Sequence, residues 1–164
     1  MTAIKTYERF KKYFDKNNIR YTSDDEEYEI ISNITLNSRL KSCVLRIACN
    51  EGNATIYAHI EQKASEQSRA SVMEFLTRVN FRMVMGGFDM DLDAGDIRLK
   101  SSLNCMGRAS ISDEIIGITL FGPRAMLNYY GDYLLDVMSE AKTPKDALNE
   151  FFGSLNICSC GCDD

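Results

Sequence analysis

Residues 69–100, RASVMEFLTRVNFRMVMGGFDMDLDAGDIRLK, predict a helix followed by a β-hairpin, and we expect the rest of the chain to be organised around this unit. Apolar residues recur in its first half every three or four positions, which places them on one stripe of a helix. Gly86 and Gly87 are expected to end that helix. After them Phe88, Met90 and Leu92 alternate with aspartates, which is the pattern of a half-buried strand. The helical stripe consists of Val72, Phe75, Leu76, Val79 and Met83.

A turn at Ala94-Gly95 is expected to pair this strand with a second strand that begins near Ile97. In that register apolar residues face apolar residues, and acidic residues face basic ones. A slip of one residue would destroy both matches, so the pattern favours this pairing. The expected pairs are Leu92 with Ile97, Asp91 with Arg98, Met90 with Leu99, and Asp89 with Lys100.

The aspartates of the first hairpin strand permit a second interpretation. Asp89, Asp91 and Asp93 have the first three ligand spacings of a calcium-binding helix-loop-helix loop. Such a loop needs Gly at its sixth position and Glu at its twelfth, whereas Ala94 and Lys100 stand there. We therefore interpret the aspartates as the solvated side of a strand, and we expect no cofactor.

The elements around this unit predict an α+β fold with an antiparallel sheet of about five strands. An amphipathic helix over residues 4–17 precedes three strands at 27–36, 42–50 and 54–60. A turn at Glu51-Gly52 is expected to pair Ile47 with Ile56 and Leu45 with Ala58. The expected order is α-β-β-β-α-β-β-α, with the helices packed on one face of the sheet.

Two more helical segments follow the hairpin. Ser112 is expected to cap the first, and Gly122-Pro123 in its middle predicts a kink or a division into two shorter helices. Thr143 is expected to cap the last helix, which Gly153 would end. Residues 1–153 therefore form a single predicted domain, and residues 154–164 form a cysteine-containing tail.

Composition bounds the function. A net charge of −5 and a pI near 5.0 oppose binding to nucleic acid, which needs clustered Lys and Arg. No apolar run of about 18 residues could span a bilayer, and the N-terminal segment is amphipathic and charged. We expect a cytoplasmic protein that makes no membrane contact.

The six cysteines fall into two groups. Cys43 and Cys49 fall on apolar strand positions and Cys105 follows a strand, which is typical of buried free thiols in a reducing compartment. The other three, Cys158, Cys160 and Cys162, alternate with small residues in the tail ICSCGCDD. They could bind one soft metal ion or exchange disulfides, but a structural zinc site normally takes four ligands. The alternative is an unfixed, oxidation-prone chain end.

His59 is the only histidine. Its expected strand neighbours, Val44 and Tyr57, supply neither a carboxylate to orient it nor a nucleophile to activate. We interpret it as a strand residue on the face opposite the core. That face also carries Arg46, and it is either exposed or covered by a partner chain.

The run FLTRVNFRMVMGGFDMDLDAGDIRLKSSLN resembles the YbjN-domain family of bacterial sensory transduction regulators. The resemblance covers nearly the whole chain to Phe152, and DYLLDVMSEAKTPKDALNEF is similar to the closing helix of that family. It implies a fold like that of the type III secretion chaperones, often dimeric, and it implies no catalytic residues. The residues that carry it are Asn80, Gly87, Phe88, Asp91, Gly95, Arg98 and Lys100.

Two functions are compatible with these observations. The first is a non-catalytic protein-binding module, regulatory or chaperone-like, that engages a protein segment through an apolar groove or by strand addition. Its partner would be another protein, or a second copy of the chain in a homodimer. The second is a thiol- or metal-handling protein that acts through Cys158, Cys160 and Cys162. No enzyme is expected, because no reactive constellation is visible in the sequence.

Overall fold

The computed structural model describes residues 1–157, which form an α+β fold of one antiparallel sheet and four helices. In chain order the elements are α1 (Ala3–Lys16), β1 (Thr22–Asp24), β2 (Glu29–Thr35), β3 (Ser42–Asn50), β4 (Asn53–Lys63), α2 (Arg69–Asn80), β5 (Gly87–Met90), β6 (Asp96–Asn104), α3 (Asp113–Met138) and α4 (Pro144–Ile157).

The sheet has six strands in the order β1-β2-β3-β4-β6-β5, one more than the sequence predicts. The additional strand is β1, whose three residues pair with the start of β2. All three of its residues are exposed, so β1 has no apolar alternation by which a strand is recognised. It is held by its backbone pairing with β2 and by Asp24, whose Oδ1 accepts hydrogen bonds from the N–H groups of Glu26 and Glu27 in the following turn.

One face of the sheet forms the core. Alternate residues of β3 and β4 are buried there, and they include Leu45, Ile47, Ile56 and Ala58. Ile47 pairs with Ile56 and Leu45 with Ala58, which confirms the predicted register. Helices α1 and α3 pack against these strands, α2 contacts β5, and α4 packs on α2 and α3.

The predicted burial of three cysteines is confirmed. Cys43 and Cys49 lie on the core side of β3, and Cys105 directly follows β6; all three are free thiols and at most 3% exposed. They pack as small apolar side chains.

The predicted register of the β5–β6 hairpin is wrong by two residues. Met90 pairs with Ile97 and Asp89 with Arg98, so the expected faces are kept while the loop is longer. Asp91 is the reason, because its Oδ1 accepts hydrogen bonds from the backbone N–H groups of Asp93 and Ala94, both at 2.9 Å. Its side chain therefore closes the turn and does not extend the strand.

Helix α3 is continuous over 26 residues, so the predicted division into two shorter helices is wrong. Pro123 lies inside it, preceded by Gly122. The proline ring normally clashes with the Cβ of the preceding residue in a helix, and glycine has none. The predicted cap is confirmed, since the Ser112 side chain accepts a hydrogen bond from the backbone N–H of Ile115.

Helix α4 begins as predicted but ends later. Thr143 Oγ1 accepts from the N–H of Asp146 at 3.2 Å and donates to that residue's carboxylate at 2.7 Å. Gly153 was expected to end the helix, but α4 continues to Ile157, so that prediction is wrong. None of the four helices in the described part of the chain combines the length and the apolar character that a membrane span requires.

Candidate partner-binding groove

The segment between α2 and β5 differs most from expectation. The predicted helix reached Met83, but α2 ends at Asn80. The Asn80 side chain accepts from the N–H of Phe88 at 2.7 Å and donates to the carbonyl of Phe88 at 2.9 Å. This double hydrogen bond ties the end of α2 to β5 and leaves residues 81–86 as a connecting segment, here named the 81–86 loop.

Gly86 lets the loop pass close to the sheet. Its φ is +73°, and a Cβ at this position would lie 2.6 Å from the backbone oxygen of Lys100. Only glycine fits both the left-handed backbone and this close approach. The loop therefore passes close to Lys100 and Ser101 of β6, just before β5 begins.

The 81–86 loop exposes apolar side chains to solvent. Phe81 is 92% exposed, Val84 98% and Met85 65%. Ile118, on the neighbouring α3, is 65% exposed. Single exposed apolar residues need no explanation, but a cluster of them marks a candidate interaction site.

A groove of about 430 Å³ lies between this loop, α3 and β6, and we call it the α3–β6 groove. Residues 82–85 of the loop form one wall, and the other wall is the row Ile118, Gly122 and Met126, spaced by four residues on α3. The floor is formed by Leu99, Ser101 and Ser102 of β6. A Cβ at Gly122 would meet no atom within 4 Å, so this glycine keeps the wall open.

The floor of the groove is an open strand edge. β5 pairs only with residues 97–100 of β6, so residues 101–104 have no strand on that side within the described chain. Because Asn80 binds both backbone groups of Phe88, those groups point away from β6, and Gly87 and Asp89 face it. Alternation along β6 then directs the N–H and C=O of Ser102 outward at the open edge.

The polar groups of the groove are few. The Arg82 guanidinium stacks over the ring of Phe152, 4.2 Å from its centroid. Burial raises the pKa of Tyr130, although the charge of Arg82 opposes that rise, so the phenol stays neutral. The Ser101 hydroxyl is buried and has no hydrogen-bond partner among the described residues.

A second hollow, of about 530 Å³, lies on the opposite face around His59, Asp89 and Arg98. Burial, together with the charges of Arg98 and Arg46, lowers the pKa of His59, so its imidazole is neutral at pH 7. Arg98 forms an ion pair with Asp89 at 3.3 Å and stacks 4.6 Å from the centroid of Tyr57. These contacts neutralise the carboxylate and occupy the arginine.

The acidic residues that resembled a calcium loop have other partners. Asp89 pairs with Arg98, and Asp91 accepts the two turn hydrogen bonds, which lower the pKa of its carboxyl. Among residues 1–157 no three His, Cys, Asp or Glu side chains are placed to hold a metal ion together. Cys158, Cys160 and Cys162, the predicted metal-binding candidates, lie outside the described residues.

Sequence reasoning missed the α3–β6 groove because it assigned Met83 to the helical stripe. One signal was available: Phe81, Val84 and Met85 fall off that stripe, directly before two glycines. Apolar residues at positions that no regular element buries are candidates for an exposed apolar surface.

Comparisons with known proteins agree with this architecture. Residues 6–121 match the family YbjN, described as "Putative bacterial sensory transduction regulator". The crystal structure of YbjN from E. coli, titled "a putative transcription regulator", superposes with a TM-score of 0.55 at 9% sequence identity. That superposition covers 76% of this chain and 90% of the E. coli chain. No curated protein matches significantly. Since the family match spans more than half of the sequence, this chain belongs to the YbjN family.

Proposed function

We propose that this protein is a non-catalytic regulator that binds a segment of another protein in the α3–β6 groove. The family description, a sensory transduction regulator, supports a regulatory role. The observation that carries the proposal is an apolar groove whose floor is an unpaired strand edge. An extended segment placed there gains backbone hydrogen bonds from β6 and apolar contacts from both walls.

The contrast between the two strand edges at this end of the sheet supports the proposal. Proteins usually protect edge strands, because unpaired N–H and C=O groups recruit other chains. The outer edge of β5 is protected, since Asn80 occupies both backbone groups of Phe88. On the open edge of β6 beside it, Arg108 Nε binds the carbonyl of Asn104 at 3.1 Å, but no group of the described chain binds the N–H or the carbonyl of Ser102 there. Loop side chains that would shield it instead point apolar surface at solvent.

Methionines suit the walls of such a groove. Met83, Met85 and Met126 line it from the loop and from α3. Their unbranched thioether side chains have many rotamers and repack around different apolar partners. This composition favours recognition of a segment by its apolar pattern over recognition of one fixed shape.

The remaining chemistry of the described residues gives little support to catalysis. His59 is neutral, and the hollow around it is lined by no Ser, Cys or Lys among residues 1–157. Burial raises the pKa of Cys43 to about 11 and of Cys49 to about 12, so neither thiol ionises near pH 7. A general base needs a nucleophile or substrate proton within reach, and these groups do not form such a pair.

The experiment is a binding measurement with a synthetic probe. A fluorescein-labelled peptide of alternating residues, Thr-Ile-Thr-Ile-Thr-Ile-Thr, presents isoleucines on one face when extended. We expect it to raise fluorescence anisotropy with the wild-type protein. Two versions of the peptide carry N-methyl groups, one on the isoleucines and one on the threonines, and each blocks one edge of the extended chain. The version whose blocked edge faces β6 should bind at least about ten times more weakly.

Variants locate the binding surface. Ile118→Asp places a charge in the groove wall and should abolish binding, because the wall loses an apolar contact and a bound peptide would remove water from the carboxylate. Ile4→Asp is the matched control: Ile4 is 51% exposed on α1, outside the α3–β6 groove. Equal affinity of wild type and Ile118→Asp, or equal affinity of the unmethylated peptide and both methylated versions, would contradict the proposal.

A further inference from the structure

We propose that the α3–β6 groove selects a segment that carries an acidic side chain on the same face as its apolar residues, and that Arg82 binds this carboxylate. This inference rests on the proposed function and adds the chemical class of the partner.

The α3–β6 groove carries a positive charge. Among the described residues that line it, Arg82 is the only one with a charged side chain, and no acidic residue lines it. The chain as a whole carries a net charge of −5, so the local charge at Arg82 is opposite in sign to the overall charge. A local cation in an apolar groove stabilises an incoming carboxylate more strongly than it would in bulk water.

Arg82 differs from Arg78, the arginine one turn earlier, in its contacts. Within residues 1–157 its guanidinium makes no ion pair and no side-chain hydrogen bond; it only stacks over Phe152. Arg78, one turn earlier, differs because it is paired with Glu74 at 2.7 Å. A guanidinium held by its flat face keeps its in-plane N–H groups available, and these fit a carboxylate in a bidentate manner.

A strand added at the edge of β6 would direct every second side chain into the groove. Residues at alternate positions of an added strand point to the same face of the sheet. Those on the helical side would face Met83, Ile118 and Met126 in the groove, and Arg82 lines the same groove. The acidic residue is therefore expected two or four positions from the apolar anchors, in a pattern such as acid-x-apolar-x-apolar.

The test uses two labelled peptides that differ only in charge. Glu-Thr-Ile-Thr-Ile-Thr-Glu carries the acid at both ends of the apolar face, so it works in either strand direction, and Gln-Thr-Ile-Thr-Ile-Thr-Gln is its neutral match. We expect the acidic peptide to bind the wild-type protein about ten times more tightly. The preference should shrink as salt concentration rises.

Two variants test whether Arg82 causes the preference for the acidic peptide. Arg82→Gln should bind both peptides equally, with the affinity that the wild type shows for the neutral one. Arg78→Gln removes the neighbouring arginine and should keep the tenfold preference. Both side chains are exposed, so folding is not at risk.

The outcomes separate the two proposals. If neither peptide binds, the proposed function itself fails. If both bind the wild type equally, the function stands and the role of Arg82 is contradicted. A preference that survives Arg82→Gln, or that is lost in Arg78→Gln, would also overturn the assignment.

Discussion

The side-chain amide of Asn80 binds both the N–H and the carbonyl of Phe88, at 2.7 and 2.9 Å, in the way a neighbouring strand would. This pairing ends α2, covers the outer edge of β5 and fixes where the 81–86 loop begins. It therefore determines both a protected edge and, by alternation, the open edge of β6.

Replacing Asn80 tests this relationship. Asn80→Ala removes both hydrogen bonds, and we expect the free energy of unfolding to fall by about 1 to 3 kcal/mol. Urea denaturation measures the change. Asn33→Ala is the control, because Asn33 is an exposed strand residue with no side-chain hydrogen bond in the described structure; it should change stability by less than about 0.5 kcal/mol. Equal effects of the two substitutions would contradict the role of Asn80.

Much of the fold could be predicted, because the alternation of apolar residues determines the pairing register of strands that bury one face. The β3–β4 pairing follows from Leu45, Ile47, Ile56 and Ala58, which could not be shifted by one residue without exposing the core. The β5–β6 register was missed because a shift of two residues preserves the faces. The hydrogen bonds that the Asp91 side chain accepts in the turn then decide the register, and the apolar alternation contains no information about them.

The candidate site was harder to predict than the fold. Its floor depends on where β5 begins, which is set by hydrogen bonds between two residues that lie eight positions apart, Asn80 and Phe88. Its walls come from α3 and from a loop that helical periodicity extends by mistake to Met83. Grooves arise from elements that fail to cover one another, and a sequence pattern reports mainly the residues that are covered.

Two helical glycines should respond in opposite directions to the same substitution. Gly153 lies inside α4, and a Cβ there would meet nothing within 4 Å, so Gly153→Ala should raise stability by about 0.5 to 1 kcal/mol. At Gly131 in α3 a Cβ would lie 2.6 Å from Leu40 Cδ1 and 2.8 Å from Ser38 Oγ. Gly131→Ala should therefore destabilise the protein by roughly 1 to 3 kcal/mol. Thermal unfolding of both variants checks the signs, and a stabilised Gly131→Ala would contradict the packing.

Asp113 should make the protein sensitive to acid. Hydrogen bonds from Lys16, at 2.6 Å, and from Arg9 lower the pKa of its carboxyl from 3.8 to about 2. A lowered pKa in the folded state contributes stability that is present above the unfolded pKa and is lost as the pH falls. The stability difference between wild type and Asp113→Asn should therefore shrink as the pH falls from about 5 to about 2.

Denaturant midpoints across that pH range measure the effect of Asp113. Lys16→Gln removes the largest cause of the lowered pKa, so this variant should lose less stability on acidification than the wild type. A wild-type advantage over Asp113→Asn that stays constant down to pH 2 would show that the ion pairs do not act as described.

The buried thiols should make the protein sensitive to alkali. Burial raises the pKa of Cys49 from 9.0 to about 12, and the neighbouring Cys105 and Glu29 add to the rise. A raised pKa in the folded state contributes stability that is complete below the unfolded pKa and is lost as the pH rises toward the folded value. The stability difference between wild type and Cys49→Ala should therefore change in favour of the variant as the pH rises above about 9.

Iodoacetamide followed by peptide mapping gives an independent measurement: Cys43, Cys49 and Cys105 should react only after denaturant is added, because the thiolate is the reactive form. Modification of Cys49 in the folded protein at pH 8 would contradict its burial, since a side chain 3% exposed cannot reach the reagent without local unfolding.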